Sequence, residues 1–150
     1  MDFLTMALRL LLAFALSGIV GWEREYVHKP AGLRTLILVG SGAALFVLVT
    51  LSVVESYLTL PQPDTVRFDV ARIIAGIAGG VGFLGAGTTF VTRGSVHGLT
   101  TAAAIWAVAA IGVACGFGEW EIALLGTGLT FIVLRVLLPV ARSTRPPNRE

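Results

Sequence analysis

Charge is scarce in this sequence. Its 150 residues include 11 Lys or Arg and 9 Asp or Glu, 13% in all, about half the share usual in a soluble domain. So few charged side chains cannot cover the apolar surface that a 55% hydrophobic composition creates. A soluble globular domain is therefore excluded. Disorder is excluded too, because disordered chains are poor in apolar residues. The length leaves no room for several soluble domains. The single cysteine, Cys115, allows neither an intrachain disulfide nor a multi-cysteine metal cluster. In its apolar, Gly-rich stretch it reads as a small packing residue. His28 and His97 are the only histidines and are weak evidence for a site. The net charge of +2 and pI of 9.2 do not point to nucleic acid, because the basic residues sit at the ends of apolar segments, where they act as topology signals.

What is present in quantity is apolar sequence and glycine, with a mean hydropathy of +0.86 and 18 glycines. A membrane-spanning helix needs about 20 mostly apolar residues. Five segments meet that need: Phe3 to Val20, Leu33 to Val54, Val70 to Val91, Leu99 to Gly116 and Glu121 to Ala141. The expected fold is all-α, a polytopic integral membrane protein of five transmembrane helices. The helical domain covers residues 1–142, and 143–150 form a short tail. The first segment is read as a retained helix and not a signal peptide, because Asp2 precedes it and Arg9 interrupts it. Arg24, Lys29, Arg34, Arg93, Arg142, Arg145 and Arg149 fall on one side of the membrane, and Arg67 falls alone on the other. The positive-inside rule then places the N-terminus outside and the C-terminus in the cytoplasm. The one long connection, about Glu55 to Asp69, contains Pro61-Gln62-Pro63, which favours an extended turn.

Four groups of residues carry chemical information. The first is Gly21-Trp22-Glu23-Arg24-Glu25 with Lys29-Pro30-Ala31-Gly32-Leu33-Arg34-Thr35. It reads either as a charged interfacial turn anchoring two helices or as a polar inner-face site. In a site, Glu23 or Glu25 would offer carboxylate oxygens to a hard cation such as Mg²⁺. The second group is Gly76, Gly79, Gly80, Gly82, Gly85 and Gly87. Small residues at such spacing favour close helix packing, or the segment unwinds around a cavity, as in transporters. Gly80, Gly82 and Gly85 also spell a dinucleotide-binding string, but no strand precedes it. In the third group, Thr100 and Thr101 open the fourth helix and can cap its free amides. The fourth group is the charge inside spans: Arg9, Arg72 and Arg135. Asp69 is a helical neighbour of Arg72 and a candidate partner for Arg9. Arg135 can snorkel toward the inner surface. The topology brings the Glu23 to Thr35, Gly85 to Gly87 and Gly98 to Thr101 stretches to one side of the membrane.

The first three groups, with Arg72, Trp106 and Gly112, resemble the membrane domain of the MgtC/SapB family over roughly Leu8 to Val140. The resemblance implies a bacterial inner-membrane protein of Mg²⁺ homeostasis and adaptation to low Mg²⁺, associated with virulence in pathogens. It implies a regulator of membrane partners such as the F-type ATP synthase. The positions it marks are Glu23, Arg34, Arg72, Gly82, Gly85, Gly87, Thr100 and Thr101. Two departures stand out. The cytoplasmic ACT-like domain found in many members is expected to be absent here, and Gly76 stands where the family usually has Gln.

Function is expected to be non-enzymatic, because no nucleophile-base-orienter set appears in the sequence. Organic cofactors are not expected; Mg²⁺ is the candidate ion and Glu23 its candidate ligand. Expected partners are the lipid bilayer, further copies of the chain, and a membrane complex such as the ATP synthase. A regulator is favoured by the scarcity of acids inside the spans, where an ion pathway would need them. The alternative is a small oligomeric Mg²⁺ or cation transporter, with the Gly-rich third helix broken around its substrate.

Overall fold

The computed structural model of the chain describes residues 1–59, 69–92 and 95–137. The expected Pro61–Pro63 turn, Arg67, Arg93, Arg142 and the tail 143–150 lie outside the described residues. Five helices follow in order: α1 (Phe3–Tyr26), α2 (Leu33–Leu58), α3 (Val70–Gly87), α4 (Leu99–Phe117) and α5 (Trp120–Arg135). The first four are long and apolar enough to cross a bilayer. Between α3 and α4 lies a small antiparallel ribbon, β1 (Phe90–Thr92) paired with β2 (Ser95–His97). The helical reading of 88–91 is corrected here. After Gly87 the hydroxyls of Thr88 and Thr89 both donate to the Gly85 carbonyl and so close the helix end. Gly98 then opens α4 at φ +89, where a Cβ would overlap the Thr88 carbonyl oxygen. Only glycine fits there.

The helices run antiparallel in sequence order, giving the bundle a Met1 end and a Tyr26 end. At the Met1 end the N-terminal ammonium pairs with Glu55 near the end of α2. Asp2 caps α1 there, accepting from the Thr5 hydroxyl at 2.6 Å and the Thr5 amide at 3.2 Å. These bonds hold its carboxyl below the usual range. At the Tyr26 end the Arg135 guanidinium lies 5.3 Å from the Tyr26 ring centroid, a cation–π contact.

α4 packs against each of the other four helices. One core cluster, toward the Met1 end, joins Ala13 and Leu16 to Ala44, Ile111, Cys115 and Ala123. A second joins Val20 and Leu36 to Ala104, Ile105, Val108 and Leu134. Cys115 is fully buried, as a packing residue should be. Elsewhere large apolar side chains face outward, Phe83 at 80% exposure among them. That is the surface a bilayer accepts and water does not.

Glycine makes the α2–α4 crossing, and not where the sequence pattern pointed. A Cβ on Gly112 would overlap the Gly40 carbonyl oxygen, and one on Gly116 would lie 2.7 Å from the Val47 Cβ. By contrast, Gly76, Gly79, Gly80 and Gly82 have nothing within 4 Å of a built Cβ. Among the described residues nothing packs on those four, so the close approach expected of them is not made there. α3 buries only Gly85, against Ala102 of α4.

Arg9 has a partner, but it is not Asp69. Its Nη1 donates to the Gly116 carbonyl at 3.0 Å, at the C-terminal end of α4. The α4 end turns through Gly118 at φ +86, and a Cβ there would lie 2.6 Å from the Arg9 guanidinium. A cation here satisfies an orphan carbonyl and meets the negative end of the helix dipole. We predict that Arg9→Met lowers stability by about 1–2 kcal/mol, read as a lower melting temperature in detergent. An unchanged melting temperature would mean that the cap contributes nothing.

Candidate functional site

The Tyr26 end holds the polar site. α1 does not stop at Val20; it continues as helix through Tyr26. The expected interfacial turn at Gly21 to Glu25 is corrected by this extension. Continued helix carries two charged residues inward: Glu23 and Arg24 are each 4% exposed. Arg24 shares a face with Ser17, Val20 and Gly21, at helical spacing. That face abuts α2 and α4, since a Cβ on Gly21 would lie 2.8 Å from the Leu33 Cα. The Arg24 Nη2 donates to the buried Thr101 hydroxyl at 2.8 Å. This bond ties the end of α1 to the start of α4. Thr101 is thus a side-chain partner and not a helix cap, and α4 has no side-chain cap at all.

Glu23 is the unusual group. Both carboxylate oxygens are buried and have no hydrogen-bond partner among the described residues. The Arg24 Nε and the Ser17 hydroxyl are buried and unpartnered as well. Glu23 and Arg24 are neighbours in sequence, yet no ion pair joins them. A buried carboxylate is costly unless something compensates it. The compensating partner is thus a group that the described residues do not supply.

Carboxylate oxygens are the donors that a hard divalent cation takes. Mg²⁺ keeps several waters and needs only one or two carboxylates from a protein, and Glu23 offers two free oxygens. A dehydrated cage does not fit, since among the described residues no three His, Cys, Asp or Glu side chains group as metal ligands.

The other expected site residues divide. Glu25 is structural: its Oε2 accepts from the Leu33 amide at 3.1 Å and so caps α2. The turn between them is tight, with Ala31 at φ +56, and a Cβ on Gly32 would overlap the Glu25 carboxylate. That explains the Pro30-Ala31-Gly32 string. Arg34 and Thr100 are exposed and are not buried with Glu23. Gly85 is buried against Ala102, whereas Gly82 and Gly87 face open space. Asp69 caps α3 through the Arg72 amide at 3.2 Å. Its ion pair with the Arg72 side chain is loose, at 3.7 Å, and well exposed.

Arg24 was counted among the topology charges and missed as a site residue. Its helical register with Ser17 and Gly21 is the signal that could have found it.

The MgtC family model matches residues 10–143. The chain is 44% identical over 129 residues to "Putative magnesium transporter YhiD" of Escherichia coli (strain K12), covering 86% of this chain and 59% of that protein. It is 40% identical over 141 residues to "Protein SrpB" of Synechococcus elongatus, covering 89% and 75%. To "Protein MgtC" of Brucella abortus (strain 2308) it is 40% identical over 130 residues, covering 87% and 50%. It therefore spans between half and three quarters of these relatives. No solved structure matches the chain. With a family model that covers nearly all of its helices and relatives of 40–44% identity, the chain belongs to the MgtC family.

Proposed function

We infer that this protein is a non-enzymatic regulator in the Mg²⁺ homeostasis of a bacterial inner membrane. It responds to the ion at Glu23 and passes the response on through helix contacts. One observation carries the reading: the buried Glu23 carboxylate, with both oxygens unpartnered among the described residues, beside the Arg24–Thr101 bond that joins α1 to α4. A cation at Glu23 would remove the cost of the bare charge. It would also weaken the pull of Glu23 on Arg24, and so alter the α1–α4 contact. The reading includes five membrane crossings, an outer N-terminus, an inner C-terminus and assembly with further copies. The membrane sector of the F-type ATP synthase is the partner that the family resemblance suggests.

Transport is the second reading, favoured by the name of the Escherichia coli relative. Against it stands the chemistry of the groove between α2 and α3. Among the described residues, Thr50 and Arg72 are its only polar side chains and no acid lines it, whereas Mg²⁺ passage needs oxygen ligands. The test is Mg²⁺ flux into proteoliposomes holding the wild-type protein or Glu23→Gln. The regulator reading expects no flux above empty vesicles from either. Protein-dependent flux that falls in the variant would overturn it in favour of transport.

A further inference from the structure

The groove between α2 and α3 is independent of the Glu23 site. Its volume is about 590 Å³, within the roughly 300–1,000 Å³ range of small-molecule sites. On α2 it runs from Leu38 to Thr50, and on α3 from Arg72 to Leu84. Each stretch rises about 18 Å at 1.5 Å per residue. One leaflet of hydrocarbon is about 15 Å thick, half of the bilayer core.

Polarity divides the groove along its length. Thr50 and Arg72 lie together at the Met1 end, and the rest of the lining is apolar. Arg72 sits two residues inside the start of α3, in the first turn of a helix long and apolar enough to cross a bilayer. Its guanidinium has five N–H donors, and its contact among the described residues is the 3.7 Å approach of Asp69. That distance is too long for a hydrogen bond. The floor is made low by Gly42, Gly76 and Gly80, none of which has anything within 4 Å of a built Cβ.

We propose that this groove holds one phospholipid of the outer leaflet, with its phosphate on Arg72 and an acyl chain lying along Gly42, Gly76 and Gly80. The cationic mouth matches an anionic phosphate, where guanidinium forms charge-assisted hydrogen bonds. The apolar trough matches a chain one leaflet long. The lipid thereby fills the space that keeps α3 apart from α2.

The test is lipid retention by the purified protein. Wild type, Arg72→Gln and Gly76→Leu are placed in neutral detergent and titrated with dioleoylphosphatidylglycerol or dioleoylphosphatidylcholine. Native mass spectrometry then reads the bound lipid. Leu at position 76 enters open space, so the variant is expected to fold, and a wild-type circular dichroism spectrum checks this. The expected result is one tightly held phosphatidylglycerol on wild type. Its affinity should fall at least tenfold in Arg72→Gln, and retention should be lost in Gly76→Leu. Equal retention by all three proteins would overturn the proposal. So would an efficient disulfide-linked dimer of Gly76→Cys in native membranes, because a second copy would then occupy the groove.

Discussion

Glu23→Gln is expected to abolish growth at low Mg²⁺ while leaving the protein folded, inserted and at least as stable as wild type. The two side chains have the same shape, so packing at the 4% exposed position is retained. What changes is the charge. Both Glu23 oxygens are buried without a partner among the described residues, and such an ion destabilises its surroundings. Removing it should keep or raise the melting temperature in detergent. A residue that costs stability and is nonetheless required is the mark of a functional site. Two assays check this together: growth of a complemented strain at low Mg²⁺, and thermal unfolding of the purified variant. Normal growth with Gln would take Glu23 out of the function. A large fall in melting temperature would make its role structural.

The second large effect is expected at Gly112. Valine there should cost about 3 kcal/mol, the upper part of the usual overpacking range, and should strip most of the protein from the membrane. The obstacle is the Gly40 carbonyl, which a Cβ on Gly112 would overlap. It is backbone, so no rotamer change relieves the clash. Moving α2 away would also break the packing of Val20, Leu36, Ala104 and Val108. Gly79→Ala on α3 should do the opposite, because nothing lies within 4 Å of its Cβ and alanine gains about 0.5–1 kcal/mol in helix propensity. Immunoblotting of membrane fractions, with melting curves, reads both variants. Equal abundance of Gly112→Val and Gly79→Ala would refute the assignment of the α2–α4 crossing.

These two sites also show how far the sequence could be read. Long apolar runs marked the helices well, because hydrophobic length is the main constraint on a spanning segment. Helix ends were less legible. Glu23, Arg24 and Glu25 looked like a turn because they are charged, yet α1 continues through them, with Glu23 and Arg24 buried, Arg24 bonded to Thr101 and Glu25 to the Leu33 amide. The residues after Gly87 looked apolar enough for helix, but paired threonine hydroxyls stop it there. Gly76 and Gly80 had the spacing of a packing motif. Spacing says that a close approach is allowed and does not say which helix approaches, and α4 met Gly40 instead. Glu23 was picked out for its carboxylate, and the structure buries it with both oxygens unpartnered among the described residues. Glu25 and Arg34 were grouped with it because neighbours in sequence were taken as neighbours in space. Arg24 was passed over because a basic residue at a segment end is adequately explained by topology.

The most direct test of the central claim is the Mg²⁺ dependence of thermal unfolding in nanodiscs, wild type against Glu23→Gln. A ligand that binds only the folded state stabilises it by about 2.7 kcal/mol at a hundred times its dissociation constant. The wild-type melting temperature should therefore climb as Mg²⁺ is raised, with Na⁺ at matched ionic strength giving no such rise. The variant's should stay flat. An equal climb in both proteins would contradict the account and place any Mg²⁺ effect away from Glu23.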